Sequence, residues 1–182
     1  MNRPLLPLSA ALPLQGEHTR LRRMSGADLA SFHGYRSDPE VARLQGWSTM
    51  SEDEALDFLR QMAMLPLGLP GQWCQIGVAA RDTDQLIGDI GLCLRAAETG
   101  IEAEIGFSLA RQWQGRGLAR EAVQLLLDWL LAPGRCQRVL ACTDERNGPS
   151  IALLQRCGFQ PTSREQVVYK GEACIELGFE RR

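Results

Sequence analysis

Residues 104–119 read Glu104-Ile105-Gly106-Phe107-Ser108-Leu109-Ala110-Arg111-Gln112-Trp113-Gln114-Gly115-Arg116-Gly117-Leu118-Ala119. The first six alternate as a strand does: Glu104, Gly106 and Ser108 share one face with Glu102, and Ile105, Phe107 and Leu109 share the other. A glycine-bearing turn follows. Leu118, Ala122, Leu125, Leu126, Trp129 and Leu130 then recur at helical spacing, which predicts a helix over 117–131 stopped by Pro133-Gly134. At such a junction the first N–H groups of the helix lack partners, and the helix dipole adds positive potential. Gly115 and Gly117 remove side chains that would hold a phosphate off those amides, and Arg111, Arg116 and Arg120 surround the turn. The stretch reads as a local cradle for a diphosphate.

Working outward, the pattern predicts a short strand over 18–24 and helical segments over 27–35 and 39–44, with Asp38 before Pro39 in the N-cap, N1 arrangement. Ser51 and Glu54 form a capping box ahead of Ala55, Leu56, Phe58, Leu59 and Met62 at helical spacing. Pro66, Gly68, Pro70 and Gly71 end that helix. The period then changes: 73–80 and 86–94 read as a hairpin across Asp82-Thr83-Asp84, and 101–109 as the next strand. After the helix of 117–131 come a strand over 138–143, a helix over 149–157 capped by Gly158, and a hairpin of 162–169 with 173–180. The expected fold class is α/β (α+β by strict usage), one domain over 15–182 behind a loosely ordered extension of residues 1–14.

Composition sets the outer limits. A chain of 182 residues is about one domain, at roughly 150 residues each. Apolar residues at 45% and charged residues at 23% exclude a disordered tail, a fibre and a membrane bundle. Twenty Lys and Arg against twenty-two Asp and Glu leave a net charge of −2. No global field draws the chain to nucleic acid or anionic lipid, and any anionic ligand must be gripped locally. Cysteines 74, 93, 136, 142, 157 and 174 show no CxxC spacing, so no metal site is expected. They read as reduced, mostly buried thiols of a cytoplasmic protein, Cys142 and Cys157 among the core. Three prolines in the first fourteen residues argue against a signal peptide.

Two phosphate-loop patterns fail at the central turn: Leu118 and Ala119 stand where a Walker loop needs Lys and Ser or Thr, and Arg120 stands where GxGxxG needs glycine. The residues spell Q-x-x-G-x-G through Gln112, Gly115 and Gly117, followed about thirty residues later by Asn147-Gly148-Pro149-Ser150 and a helix ending Arg156-Cys157-Gly158-Phe159. This resembles the GNAT superfamily of N-acetyltransferases. Thr19-Arg20-Leu21-Arg22-Arg23, Asp38-Pro39-Glu40-Val41 and Gly46-Trp47 are similar to its branch of ribosomal-protein N-terminal (alanine/serine) acetyltransferases. The resemblance spans about residues 17–180 and implies a mixed sheet of about seven strands flanked by helices.

It also implies a donor, acetyl-coenzyme A, and roles for particular residues. The strands of 101–109 and 138–143 splay, with main-chain groups of Phe107, Ser108 and Leu109 holding pantetheine. Gln112 marks the loop, and the amides of Gln114, Gly115, Arg116, Gly117, Leu118 and Ala119 hold the pyrophosphate. Asn147 bonds the cofactor. Ser150 supplies a proton to the leaving thiolate, and Glu104 takes one from the amine or only attracts it. Trp47 and Trp73 line the acceptor pocket. Purely structural roles stay open for these residues: turn glycines, an N-cap at Asn147, core tryptophans. The acceptor is an amine on a protein N-terminus, or a small amine such as an aminoglycoside or polyamine. A non-catalytic acyl-coenzyme-A-binding protein is the alternative from another class, and relatives that pair make a homodimer a further expectation by analogy.

Overall fold

A computed structural model describes residues 8–98 and 100–182. Eight strands form one sheet in the order β1-β2-β3-β4-β5-β6-β8-β7. They are β1 (Leu14–Gln15), β2 (Thr19–Arg22), β3 (Trp73–Ala80), β4 (Leu86–Ala97), β5 (Gly100–Leu109), β6 (Cys136–Asp144), β7 (Gln160–Tyr169) and β8 (Glu172–Arg181). Neighbours are antiparallel except β5 and β6, which run parallel because the helix α5 (Leu118–Leu130) carries the chain back across the sheet. The remaining helices are α1 (Leu8–Ala11), α2 (Leu29–Arg36), α3 (Pro39–Ala42), α4 (Glu52–Met64) and α6 (Gly148–Arg156). None of the described helices is long and apolar enough to cross a membrane.

The expected elements are present, with caps where the sequence places them. Asp38 accepts from the Glu40 amide at the start of α3, and Ser51 and Glu54 close both halves of the capping box of α4. Gly158 ends α6 with φ +81. The eighth strand is β1, whose two residues carry no period of their own and pair with Leu21 and Arg20. It belongs to the segment expected to be a loose extension. Of that segment, residues 1–7 lie outside the described residues. From Leu8 onward it is packed: Leu8 is fully buried in the main core, and the expected boundary after residue 14 cuts β1.

Two cores divide the sheet's faces. The apolar stripe of α5 (Ala122, Val123, Leu126, Leu127, Leu130) is buried with Ile76, Ile90, Leu92, Ile105 and Val139. A smaller cluster joins Phe32, Tyr35, Leu59 and Met62 of α2 and α4 to Leu86. The helices of that second cluster leave part of the opposite face open. There the register sets Gln75, Gly91 and Gly106 side by side, and in the next row Trp73, Cys93, Glu104 and Leu140. Two paired glycines in the middle of one face hollow it out; a Cβ on Gly106 would meet nothing within 4 Å.

Candidate active site

The β5–β6 pairing starts at Ile101↔Cys136 and stops at Ile105↔Ala141, whereas β4 stays paired with β5 as far as Leu109. The β6-side edge of residues 106–109 is therefore open, with main-chain donors and acceptors unmatched by a strand. One of them, the Phe107 carbonyl, accepts from the Gln45 amide at 3.4 Å. Beyond Leu109 the chain turns through Arg111–Trp113 and enters α5 with Gly115 at φ +73 and Gly117 at φ +79. These left-handed conformations suit glycine, and the space beside both Cα atoms is empty. Gly117 is the N-cap and brings no side chain, so the first amides of α5 carry no capping acceptor. Gln114 folds back to donate to the Leu109 carbonyl at 2.8 Å, which fixes the loop against the strand end.

The arginines expected around this turn divide. Arg111 is drawn into an ion pair with Asp38 at 2.8 Å, and Arg116 stacks over the Trp113 ring at 4.8 Å. Gln112 faces a smaller hollow of about 310 Å³ against α2, with Ser31 and Asp38, so it is not brought to the open edge.

Beside the splay lies a cavity of about 660 Å³ on the hollowed face. Glu104, Phe107, Ser108, Trp47, Trp73, Asn147 and Ser150, separated by up to a hundred residues in sequence, all line it. Ser108 is buried, and Ser150 is half-buried in the first turn of α6. The Asn147 Oδ1 caps α6 by accepting from the Ser150 amide at 3.3 Å, which leaves its Nδ2 available. Trp73 stands 44% exposed at the cavity edge. Trp47 lies over the Arg36 guanidinium at 4.2 Å.

Beneath Trp47 is a network that the sequence gives no sign of. Arg36 and Asp89 are 4% and 3% exposed and paired at 2.9 Å, and the Tyr35 hydroxyl donates to the same carboxylate. Burial, and then the Asp89 charge, hold the Tyr35 phenol well above its ordinary value, so it stays a donor. Glu104 has a partner too: Arg95 reaches it at 2.6 Å from the adjacent strand.

Cys142 differs from its expected place in the core. Val139 and Ala141 are buried on the α5 side, so strand alternation turns Cys142 to the open face, where it is exposed on the cavity wall. Lost hydration, and then the carboxylates of Glu176 and Glu104, push its thiol up to about 12, so it stays protonated. The other five cysteines are buried and unpaired, as expected.

Asp144, at the end of β6, carries the turn into α6. The Arg146 guanidinium at 2.6 Å, helped by the Arg146 amide, holds its carboxyl at about 2. A folded value below the unfolded one stabilises the protein above about pH 4, and that stabilisation is lost as pH falls from about 4 to 2. Asp144 is 7% exposed but Arg146 is 53% exposed. Allowing for solvent screening on the arginine side, the loss is about 1–2 kcal/mol. Urea unfolding of Asp144→Asn should lack this acid-dependent component and should otherwise follow the wild-type curve.

Residues 18–160 match the family model described as an acetyltransferase (GNAT) domain. The chain belongs to the GNAT acetyltransferase family. This GNAT protein is 34% identical over 148 residues to the N-acetyltransferase p20 of Bacillus licheniformis, covering 81% of this chain and 82% of that one. A GNAT-family acetyltransferase from Bacillus anthracis superposes with a TM-score of 0.81 at 19% identity, over 93% of this chain and 98% of that one. RimL, a ribosomal-protein alpha-N-acetyltransferase solved in complex with coenzyme A, superposes at 0.78 with 16% identity, over 93% and 96%. Membership makes the protein an acyltransferase, an acetyl-coenzyme-A-dependent N-acetyltransferase. The expected fold class holds, with eight strands in place of about seven.

Proposed function

We propose that this GNAT enzyme acetylates the primary α-amine of a protein N-terminus, with acetyl-coenzyme A lying along the splay. The observation that carries the reading is the continuity of three features: the open edge of residues 106–109, the uncapped amides at the start of α5, and the adjoining cavity. The open edge offers a strand-like partner to the two amides of a pantetheine arm, and the α5 amides with both glycines suit a diphosphate. The thioester then sits at the cavity. RimL, an alpha-N-protein acetyltransferase, shares the fold, which supports a protein N-terminus as the acceptor.

The chemistry assigned to this chain is direct transfer. The neutral amine attacks the thioester carbonyl carbon, the C–S bond breaks, and sulfur leaves as a thiolate. Main-chain N–H groups at the strand end stabilise the oxyanion. The Ser150 hydroxyl, at the mouth of α6, donates a proton to the thiolate and regains the one that the nitrogen loses in becoming the amide. For each ammonium consumed, one proton passes to solvent.

Release of free thiol from acetyl-coenzyme A tests this. A short peptide with a free N-terminus should support release, and the same peptide with a blocked N-terminus should not. Faster turnover of a polyamine or an aminoglycoside would move the acceptor to the small amines. Binding of the donor without turnover on any amine would make the protein a non-catalytic binder. Ser150→Ala should lower kcat by about 10- to 100-fold, while affinity for acetyl-coenzyme A changes by less than about threefold. An unchanged kcat would assign the thiolate's proton to water.

A further inference from the structure

Three of the carboxylates on the cavity wall already hold a cation. Asp89 pairs with Arg36 at 2.9 Å, Asp144 with Arg146 at 2.6 Å and Glu104 with Arg95 at 2.6 Å. Glu176, on β8, lines the same cavity and is half-buried, yet no Lys, Arg or His nitrogen among the described residues lies within ion-pair distance of it. The Tyr169 hydroxyl donates to its Oε2, and the Cys142 thiol faces it across the strand pair. The remaining carboxylate of the wall, Glu172, is exposed at the hairpin tip. A half-buried carboxylate whose partners, the Tyr169 hydroxyl and the Cys142 thiol, are both neutral lacks the partner that its charge calls for.

We propose that Glu176 binds the incoming ammonium group of the acceptor and takes its proton, a role that Glu104, committed to Arg95, fills less well. The inference rests on the amine-acetylation reading given above. The proton passes from R–NH3⁺ to the Glu176 carboxylate, giving R–NH2 and a neutral carboxylic acid. The nitrogen lone pair then attacks the acyl carbon and the C–S bond breaks. The thiolate receives, through the Ser150 hydroxyl, the proton that the attacking nitrogen loses, and Glu176 returns its own to water before the next cycle. Tyr169 orients the carboxylate by donating to its Oε2.

The groups facing Glu176 favour a cation there. From β7 come Tyr169 and the register partner Glu165; from β6, Cys142 and the register partner Asp144 with its Arg146; from β5, beyond Cys142, Glu104. The hydrogen bond to Glu176, and then burial, hold the Tyr169 hydroxyl above its ordinary range, and it remains a neutral donor. Cys142 also stays protonated. Neither competes with the amine for the negative charge.

The test compares Glu176→Gln, Glu176→Asp, Tyr169→Phe and Glu104→Gln, with thiol release on a free N-terminal peptide between pH 5.5 and 9. Glu176→Gln should lower kcat/KM at least about 100-fold at neutral pH. Its residual rate should rise with the fraction of neutral amine in solution, up to the ordinary α-amino pKa of about 8, where wild type has already levelled off. Glu176→Asp should recover part of the rate, Tyr169→Phe should give a smaller loss, and affinity for acetyl-coenzyme A should be unchanged in all four. By calorimetry, Glu176→Gln should also weaken peptide binding to the coenzyme A complex at least about tenfold, a readout that needs no turnover. Wild-type rate and pH profile in Glu176→Gln would overturn the proposal, as would the full loss appearing in Glu104→Gln instead. Peptide binding that depends on Glu176 without turnover by wild type would overturn the acetylation reading and keep the amine site.

Discussion

Gly117→Val should weaken coenzyme A binding by about two orders of magnitude in calorimetry. Valine at φ +79 is strained, and its branched side chain projects into the space that the diphosphate needs beside the first amides of α5. Losing two charge-assisted hydrogen bonds at about 1.5 kcal/mol each makes roughly a hundredfold in affinity. Backbone strain alone has a matched control. Gly134 also sits at φ +79 with open space around it, in the turn that follows α5 and away from the loop. Gly134→Val should destabilise the fold by a similar amount and leave coenzyme A affinity unaltered. Equal affinity in both variants would place the diphosphate elsewhere.

The largest effect on stability belongs to Asp89→Asn. The substitution keeps the shape and removes the charge, which leaves the Arg36 guanidinium buried under Trp47 without its counter-ion. Unfolding free energy should fall by about 3–5 kcal/mol. For a chain of 182 residues that is a drop in Tm of about 10 °C. Replacing both partners, Arg36→Met with Asp89→Leu, should recover much of the loss, because the desolvated charge is then absent. Denaturant unfolding of the two variants beside wild type measures this, and a single substitution that costs less than about 1 kcal/mol would show that the pair is solvated.

The parts of the fold that were legible are those specified locally. Pro39 behind Asp38, the capping box of Ser51 and Glu54, and Gly158 each mark an element boundary within a few residues. The loop of residues 112–119 was readable for the same reason, since a strand, two glycines and an amphipathic stripe are contiguous there. β1 was not legible, because two residues hold no period and their pairing with β2 is settled by register. Nor were the partners of the cavity carboxylates. Arg36 and Asp89 lie 53 residues apart, and only the docking of α2 on β4 brings them together. Cys142 reads as a core thiol because no histidine lies near it in sequence to activate it, whereas the strand's alternation decides its face. Alternation along β5 offers Glu104 as a candidate base, but its ion pair with Arg95 depends on register across the β4–β5 hairpin, which spacing along one strand does not fix.

The proposed acyl transfer depends on one contact: main-chain amides after β5 gripping the donor's diphosphate while its thioester end reaches the cavity of Glu104 and Glu176. A crystal structure with coenzyme A bound tests it most directly. It should show diphosphate oxygens within hydrogen-bond distance of the amides of residues 115–119, with the pantetheine arm along residues 107–109. Coenzyme A seated in the hollow beside Gln112, or an α5 N-terminus free of phosphate, would contradict the assignment.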